Sequence, residues 1–220
     1  MKDILKVYRI FCNSIYSIVV LVLFPVLAIG IHTMLTGRLA EWSLFIIAFY
    51  MMVLGVFGDF FCYNGINSKD FQFGLFRNTL NGRNNIKLAI VTDQVRRFLQ
   101  ICFVLLICGA ITLISKSALN KSEIVLLILI LIAFVYGANS IIISILRFIT
   151  EYTIYMGTAF ILVALFGAAV SVLILYRYEY MTINLWTWLI VFIVLDVIGS
   201  FLAVKMPLRN FDRSFKEREV

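Results

Sequence analysis

The sequence predicts an all-α integral membrane protein, on three observations. Of the 220 residues, 63% are hydrophobic and 14% charged, with a mean hydropathy of +1.02; that charged share is about half that of a soluble domain. The apolar residues gather into six runs, each near the ~20 residues that cross a hydrocarbon core of about 30 Å. Lysine and arginine sit mainly between the runs and at the chain ends, as membrane topology requires. A backbone in lipid must satisfy its own polar groups, so each run is expected to be a helix. One transmembrane domain over residues 1–220 accounts for the length.

The elements follow in order. Residues 1–12 place Lys2, Lys6 and Arg9 on one helical stripe, with Ile4, Val7, Tyr8 and Phe11 opposite. That pattern suits an interfacial helix, the plainer reading being a basic cap before the first span. The spans are expected near residues 14–35, 43–63, 98–114, 124–146, 152–176 and 183–206, with Pro25 bending the first by removing one internal hydrogen bond. A cytoplasmic tail, 207–220, closes the chain. The first run is long and lacks a small-residue cleavage site, so it reads as a retained span.

With the amino terminus in the cytoplasm, 15 of the 19 Lys and Arg residues fall on that side, leaving Arg38, Lys116, Lys121 and Arg177 outside. This bias and an even number of spans put both termini in the cytoplasm. It also accounts for the net charge of +7 without nucleic acid as a partner. Cys12, Cys62, Cys102 and Cys108 form no C-x-x-C pair, so neither a disulfide framework nor a metal site is expected.

The one long connection is the cytoplasmic stretch 64–97, between the second and third spans. Within it Ser68 can cap a helix over 68–80 that Asn81 and Gly82 break. Phe71 with Leu75, and Phe73 with Phe76 and Leu80, make apolar stripes at helical spacing, with Arg77 and Arg83 at the end. Two apolar faces let such a helix lie on its own spans and enter a groove on a partner.

The stretch Phe73-Gly-Leu-Phe-Arg-Asn-Thr-Leu-Asn-Gly-Arg-Asn-Asn-Ile-Lys-Leu-Ala-Ile resembles the corresponding loop of type-2 ABC exporter permeases, particularly the small six-span permeases of Gram-positive bacteria. The shared features are the pair Arg77-Asn78, the turn Gly82-Arg83 and the apolar lead into the third span. The resemblance implies a coupling helix that binds a nucleotide-binding ATPase subunit through Phe71, Phe73, Gly74, Leu75, Phe76, Arg77, Asn78, Leu80, Gly82 and Arg83. It further implies a bacterial cell membrane, a second permease copy or a related permease, and an amphipathic peptide substrate of the membrane-active kind. The chain departs from the family in the short connection 177–182, where many members have re-entrant helices. It has no G-x-x-x-x-G-K-[ST] loop, so it is expected to bind no cofactor itself and to catalyse nothing, with ATP and Mg on the partner chain.

Among polar residues in the spans, Asp196 must face protein or water; a pathway contact and a packed interhelical carboxyl are both open. Asn139, with Gly137, Ala138 and Ser140, suits close helix packing and is a second pathway candidate; Gly199 with Ala203 and the run Gly167-Ala168-Ala169 suit packing. Asp59 is expected to pair with the basic loop. Asp93, Arg96 and Arg97 are spaced for contacts within a helix extending the third span into the cytoplasm, as a solvated ion-pair cluster. His32 is expected at the interface. Tyr176, Tyr178, Tyr180, Trp186 and Trp188 suit an aromatic belt at the outer ends of the last two spans.

The apolar span surfaces favour a hydrophobic or amphipathic cargo over a sugar, nucleotide or metal ion. Two other functions compete: an ion-coupled transporter or channel, which normally needs charged or unwound elements near the midplane, and a peptide-binding immunity or scaffold protein that moves nothing. ATP-dependent substrate movement separates the exporter from both.

Overall fold

The computed structural model describes residues 14–67, 81–115, 120–147, 152–180 and 184–216, and among these it contains helices and no strand. Helix α1, Ser14–Ile18, passes through a π-helical turn, Val19–Leu23, into α2, Phe24–Asn67. There follow α3 (Gly82–Ile114), α4 (Lys121–Leu146), α5 (Tyr152–Tyr180) and α6 (Leu185–Lys216). Five segments of the described residues are long and apolar enough to cross a membrane: Val19–Thr36, Trp42–Asp59, Gly82–Ile114, Lys121–Leu146 and Leu185–Arg209. The chain therefore has the build of a multi-pass membrane protein. The fifth apolar run coincides with α5, whose described apolar stretch, Thr153–Ala169, is shorter than these five.

Although hydrogen-bonded throughout, α2 is not one straight rod. A Cβ placed on Gly58 would lie 3.4 Å from the side chain of Val20, two positions that a straight helix would hold more than about 50 Å apart. The ribbon doubles back between the two apolar segments that end at Thr36 and begin at Trp42, so they form antiparallel limbs.

Helix α4 is the hub and packs on α2, α3, α5 and α6. Its sequence explains this position. It is apolar on all sides, with a mean hydropathy of 2.6, and a helix of that kind is stable only when enclosed. Asn120 and Glu123 close its start as a reciprocal capping box, which satisfies donors that the first turn would otherwise leave bare.

The tightest seam joins α4 to α6. A Cβ on Gly199 would lie 3.2 Å from Ser140 and 3.4 Å from the Gly137 carbonyl, and Ala203 one turn further on is fully buried. Small residues let the two backbones approach, the packing role expected for Gly137, Ser140, Gly199 and Ala203. The other sides of α6 expose Ile190, Val194, Val197 and Phe201, a surface suited to lipid.

The described residues refine several expectations. Asn81 is a turn residue and Gly82 the first residue of α3. The third span thereby gains the extension expected for it, and runs for 33 residues. Within the expected tail, residues 207–216 are helical, because α6 continues through Pro207 to Lys216. His32 is fully buried between helices, with Nε2 3.1 Å from the Thr112 hydroxyl. The expected interfacial helix 1–12 and coupling helix 68–80 lie outside the described residues.

Candidate functional site

The buried face of α3 passes through Ile86, Ala89, Ile90, Asp93, Arg97, Ile101, Val104, Leu105 and Cys108. This spacing of three and four places two charged residues in the middle of an apolar stripe. Asp93 is 0% exposed and Arg97 2% exposed. They are not the solvated cluster that local spacing suggests.

Asp93 is the hub of a network at the end of the bundle where α2 and α4 finish and α5 starts. Its Oδ1 accepts from Arg96 Nη2 at 2.7 Å and Nε at 3.1 Å. Its Oδ2 lies 3.0 Å from Arg97 Nε and 3.4 Å from Arg147 Nη2. Arg147, just past the end of α4, also donates to Asp59 Oδ1 of α2 at 2.6 Å. Among the described residues Asp59 therefore pairs with Arg147 at the end of α4. Each ion pair is charge-assisted and lies in a medium of low polarity, where removing one partner costs far more than at a surface. Tyr155 of α5, 2% exposed, sits within electrostatic reach of Asp59 and Arg147.

The chain has two prolines, and each frees a backbone carbonyl that a polar side chain of this network occupies. At the π turn Phe24 N–H bonds to Val19 O, which shifts the register so that the donor due to Val20 O would come from Pro25, which has none. Gln100 Nε2 supplies it at 2.6 Å, and Gln100 Oε1 accepts from Arg96 at 3.5 Å. Pro207 likewise leaves Ala203 O without its usual helical donor, and Arg147 Nη1 approaches that oxygen at 3.4 Å. One turn earlier, Gln94 donates to Ser200 O at 3.1 Å. The network thus ties α2, α3, α4 and α6 together, and fixes the first limb through Val20.

Gln100→Leu is expected to cost about 1–3 kcal/mol by leaving Val20 O buried without a donor. Adding Pro25→Ala, which restores a backbone N–H, is expected to recover part of that loss. Denaturant titration of the two variants in mixed micelles measures both effects.

Beside the network lies an apolar groove between the second limb of α2 and α5. One cavity of about 180 Å³ is lined by Val53, Val56 and Phe57 from α2 and by Tyr155, Met156, Ala159, Phe160 and Val163 from α5. A larger one of about 460 Å³ extends toward Trp42, Phe45 and Phe134. Phe49 and Ala164 line both. The combined space falls in the usual range for small-ligand sites, and Tyr155 marks the end nearest the buried charges.

The residues picked out from sequence divide by location. Phe71, Phe73, Gly74, Leu75, Phe76, Arg77, Asn78 and Leu80 lie outside the described residues. Gly82 is buried at the start of α3, and exposed Arg83 forms an ion pair with Asp212 of α6 at 2.9 Å. The two pathway candidates are not brought together. Asp196 packs its carboxyl over Gly137, where an added Cβ would come within 2.5 Å of Oδ1. Asn139 faces the other way, onto Gly55 of α2; neither side chain lines the apolar groove. Trp186 is exposed and Trp188 stacks on Phe192 at 5.8 Å, while nothing is described of the side chains of Tyr176, Tyr178 and Tyr180.

Sequence reasoning missed Arg147, Gln94, Gln100 and Tyr155. The detectable signal was an apolar stripe on α3 that continues on both sides of Asp93 and Arg97. Among the described residues no group of three or more His, Cys, Asp or Glu side chains could hold a metal ion. No protein-family model, no curated protein and no solved structure matches the chain.

Proposed function

We propose that this chain is the membrane-spanning subunit of an ATP-driven exporter, moving amphipathic or hydrophobic peptides or lipid-like molecules outward. The observation that carries the reading is the groove between α2 and α5, apolar along its length and ending at Tyr155 beside the buried charges. A peptide or lipid with an apolar body and a polar end has matching chemistry. The resemblance of residues 73–90 to the coupling loop of type-2 ABC permeases supplies the motor.

In this reading α5 is the fifth of six crossings, both termini are cytoplasmic, and residues 68–80 form a helix held by a separate ATPase that carries ATP and Mg. Two permease units face each other across the assembly. Closure of the ATPase pair displaces the loop, and α3, which begins at Gly82 directly after it, carries the displacement to Asp93, Arg96 and Arg97. Because these side chains bind α2, α4 and α6 into one body, that body moves as a unit. The groove against α5 is then where a path opens.

Affinity purification from native membranes tests the reading. A polypeptide with a G-x-x-x-x-G-K-[ST] loop is expected to copurify stoichiometrically. Phe71→Asp with Leu75→Asp is expected to abolish that association, more than tenfold in yield, while membrane insertion persists. An intact and active complex in the double variant would refute the coupling role.

A further inference from the structure

Two buried side chains near the ion network carry hydrogen-bonding groups that no group of the described residues satisfies. Among the described residues, Arg97 Nε, Nη1 and Nη2 have no hydrogen-bond partner, and neither do Asn139 Nδ2 and Oδ1. Arg97 is 2% exposed and Asn139 is 0% exposed. They come from different helices, α3 and α4, yet line one small cavity together with Arg96, Gln100 and Gly55. Its room for the centre of a water-sized atom is about 10 Å³, enough for a single such particle.

The donors around this space are of one kind. Arg97 Nε lies 3.0 Å from Asp93 Oδ2 as an ion pair, and the two terminal nitrogens remain for the cavity. Asn139 adds an amide whose ends exchange by a half-turn about one bond, so Nδ2 can face the cavity while Oδ1 rests on Gly55. A Cβ at position 55 would come within 2.9 Å of Oδ1 and closer still to Nδ2, so only glycine leaves the amide where it is. Guanidinium and amide N–H groups that line one small space, away from bulk water, favour a negative charge over a neutral molecule.

We propose that this cavity binds one small monovalent anion of the halide class, held by Arg97 and Asn139 between α2, α3 and α4. The anion completes the donors of a guanidinium that Asp93 satisfies only in part, and so fastens the first four crossings to one another. This inference does not depend on the transport reading.

The full chain in detergent micelles, unfolded by heat in sodium chloride or in sodium gluconate at equal ionic strength, provides the test. Chloride is expected to raise the midpoint by several degrees and to saturate with concentration. Asn139→Leu, which fills the space with an apolar group, is expected to remove the chloride-dependent part of the rise. Crystals of the unaltered chain grown in bromide are expected to show an anomalous peak between Arg97 and Asn139, a readout that no folding defect can mimic. Equal midpoints in the two salts, an undiminished rise in Asn139→Leu, or a cavity holding only water in the bromide crystals would each overturn the proposal.

Discussion

Replacing Asp93 by asparagine is expected to destabilise the protein by about 3–5 kcal/mol, the cost of removing one member of a buried ionic group. The substitution keeps the size and shape of the side chain, so no cavity term enters. What it removes is the single negative charge against which Arg96, Arg97 and Arg147 are all placed. Three guanidiniums then face a neutral amide, one of whose ends presents donors to donors. The loss is measured as the shift in the unfolding midpoint during titration with a denaturing detergent. A variant within about 0.5 kcal/mol of the parent, the range of ordinary surface changes, would mean that the network is hydrated in the membrane.

Arg147→Met is expected to cost a similar amount, about 3–5 kcal/mol, for a different reason. Methionine fills most of the volume, but Asp59 loses the donor at 2.6 Å and Ala203 O loses the group that replaces its missing helical bond. Adding Asp59→Asn removes the stranded carboxylate. The double variant is therefore expected to be markedly more stable than the sum of the single losses predicts, with a coupling of about 1–3 kcal/mol. Strict additivity would show that Asp59 and Arg147 do not interact in the folded chain. Both singles are also expected to disturb Tyr155, and with it the charged end of the groove.

Helical class and most span positions were legible because lipid leaves the backbone few alternatives, and long apolar runs with basic connections declare themselves. The seam of Gly137, Ser140, Gly199 and Ala203 was legible for the same reason: small residues at helical spacing have one main use in a membrane. The ion network was hidden by its long range. Asp93 with Arg96 and Arg97 reads as a local, solvated set, and only the arrival of Arg147, 54 positions along the chain, closes it over. The pairing of Asp59 with Arg147 was hidden likewise, since the two lie 88 positions apart. The consequences of Pro25 were half visible. A lost hydrogen bond was foreseen, but not that the π turn would move the vacancy to Val20 O or that Gln100 would fill it. Asp196 and Asn139 are two polar residues with small neighbours in the spans, and sequence offered no means to tell that they face opposite sides of α4.

In the proposed exporter the loop after α2 is held by a separate, nucleotide-driven motor. A photo-crosslinking amino acid in place of Leu75, activated in native membranes, reads that contact. One major adduct is expected, to a polypeptide bearing a phosphate-binding loop, with a yield that changes on addition of ATP. Absence of any such adduct, together with labelling of a cysteine at position 75 by a membrane-impermeant reagent applied to intact cells, would contradict it.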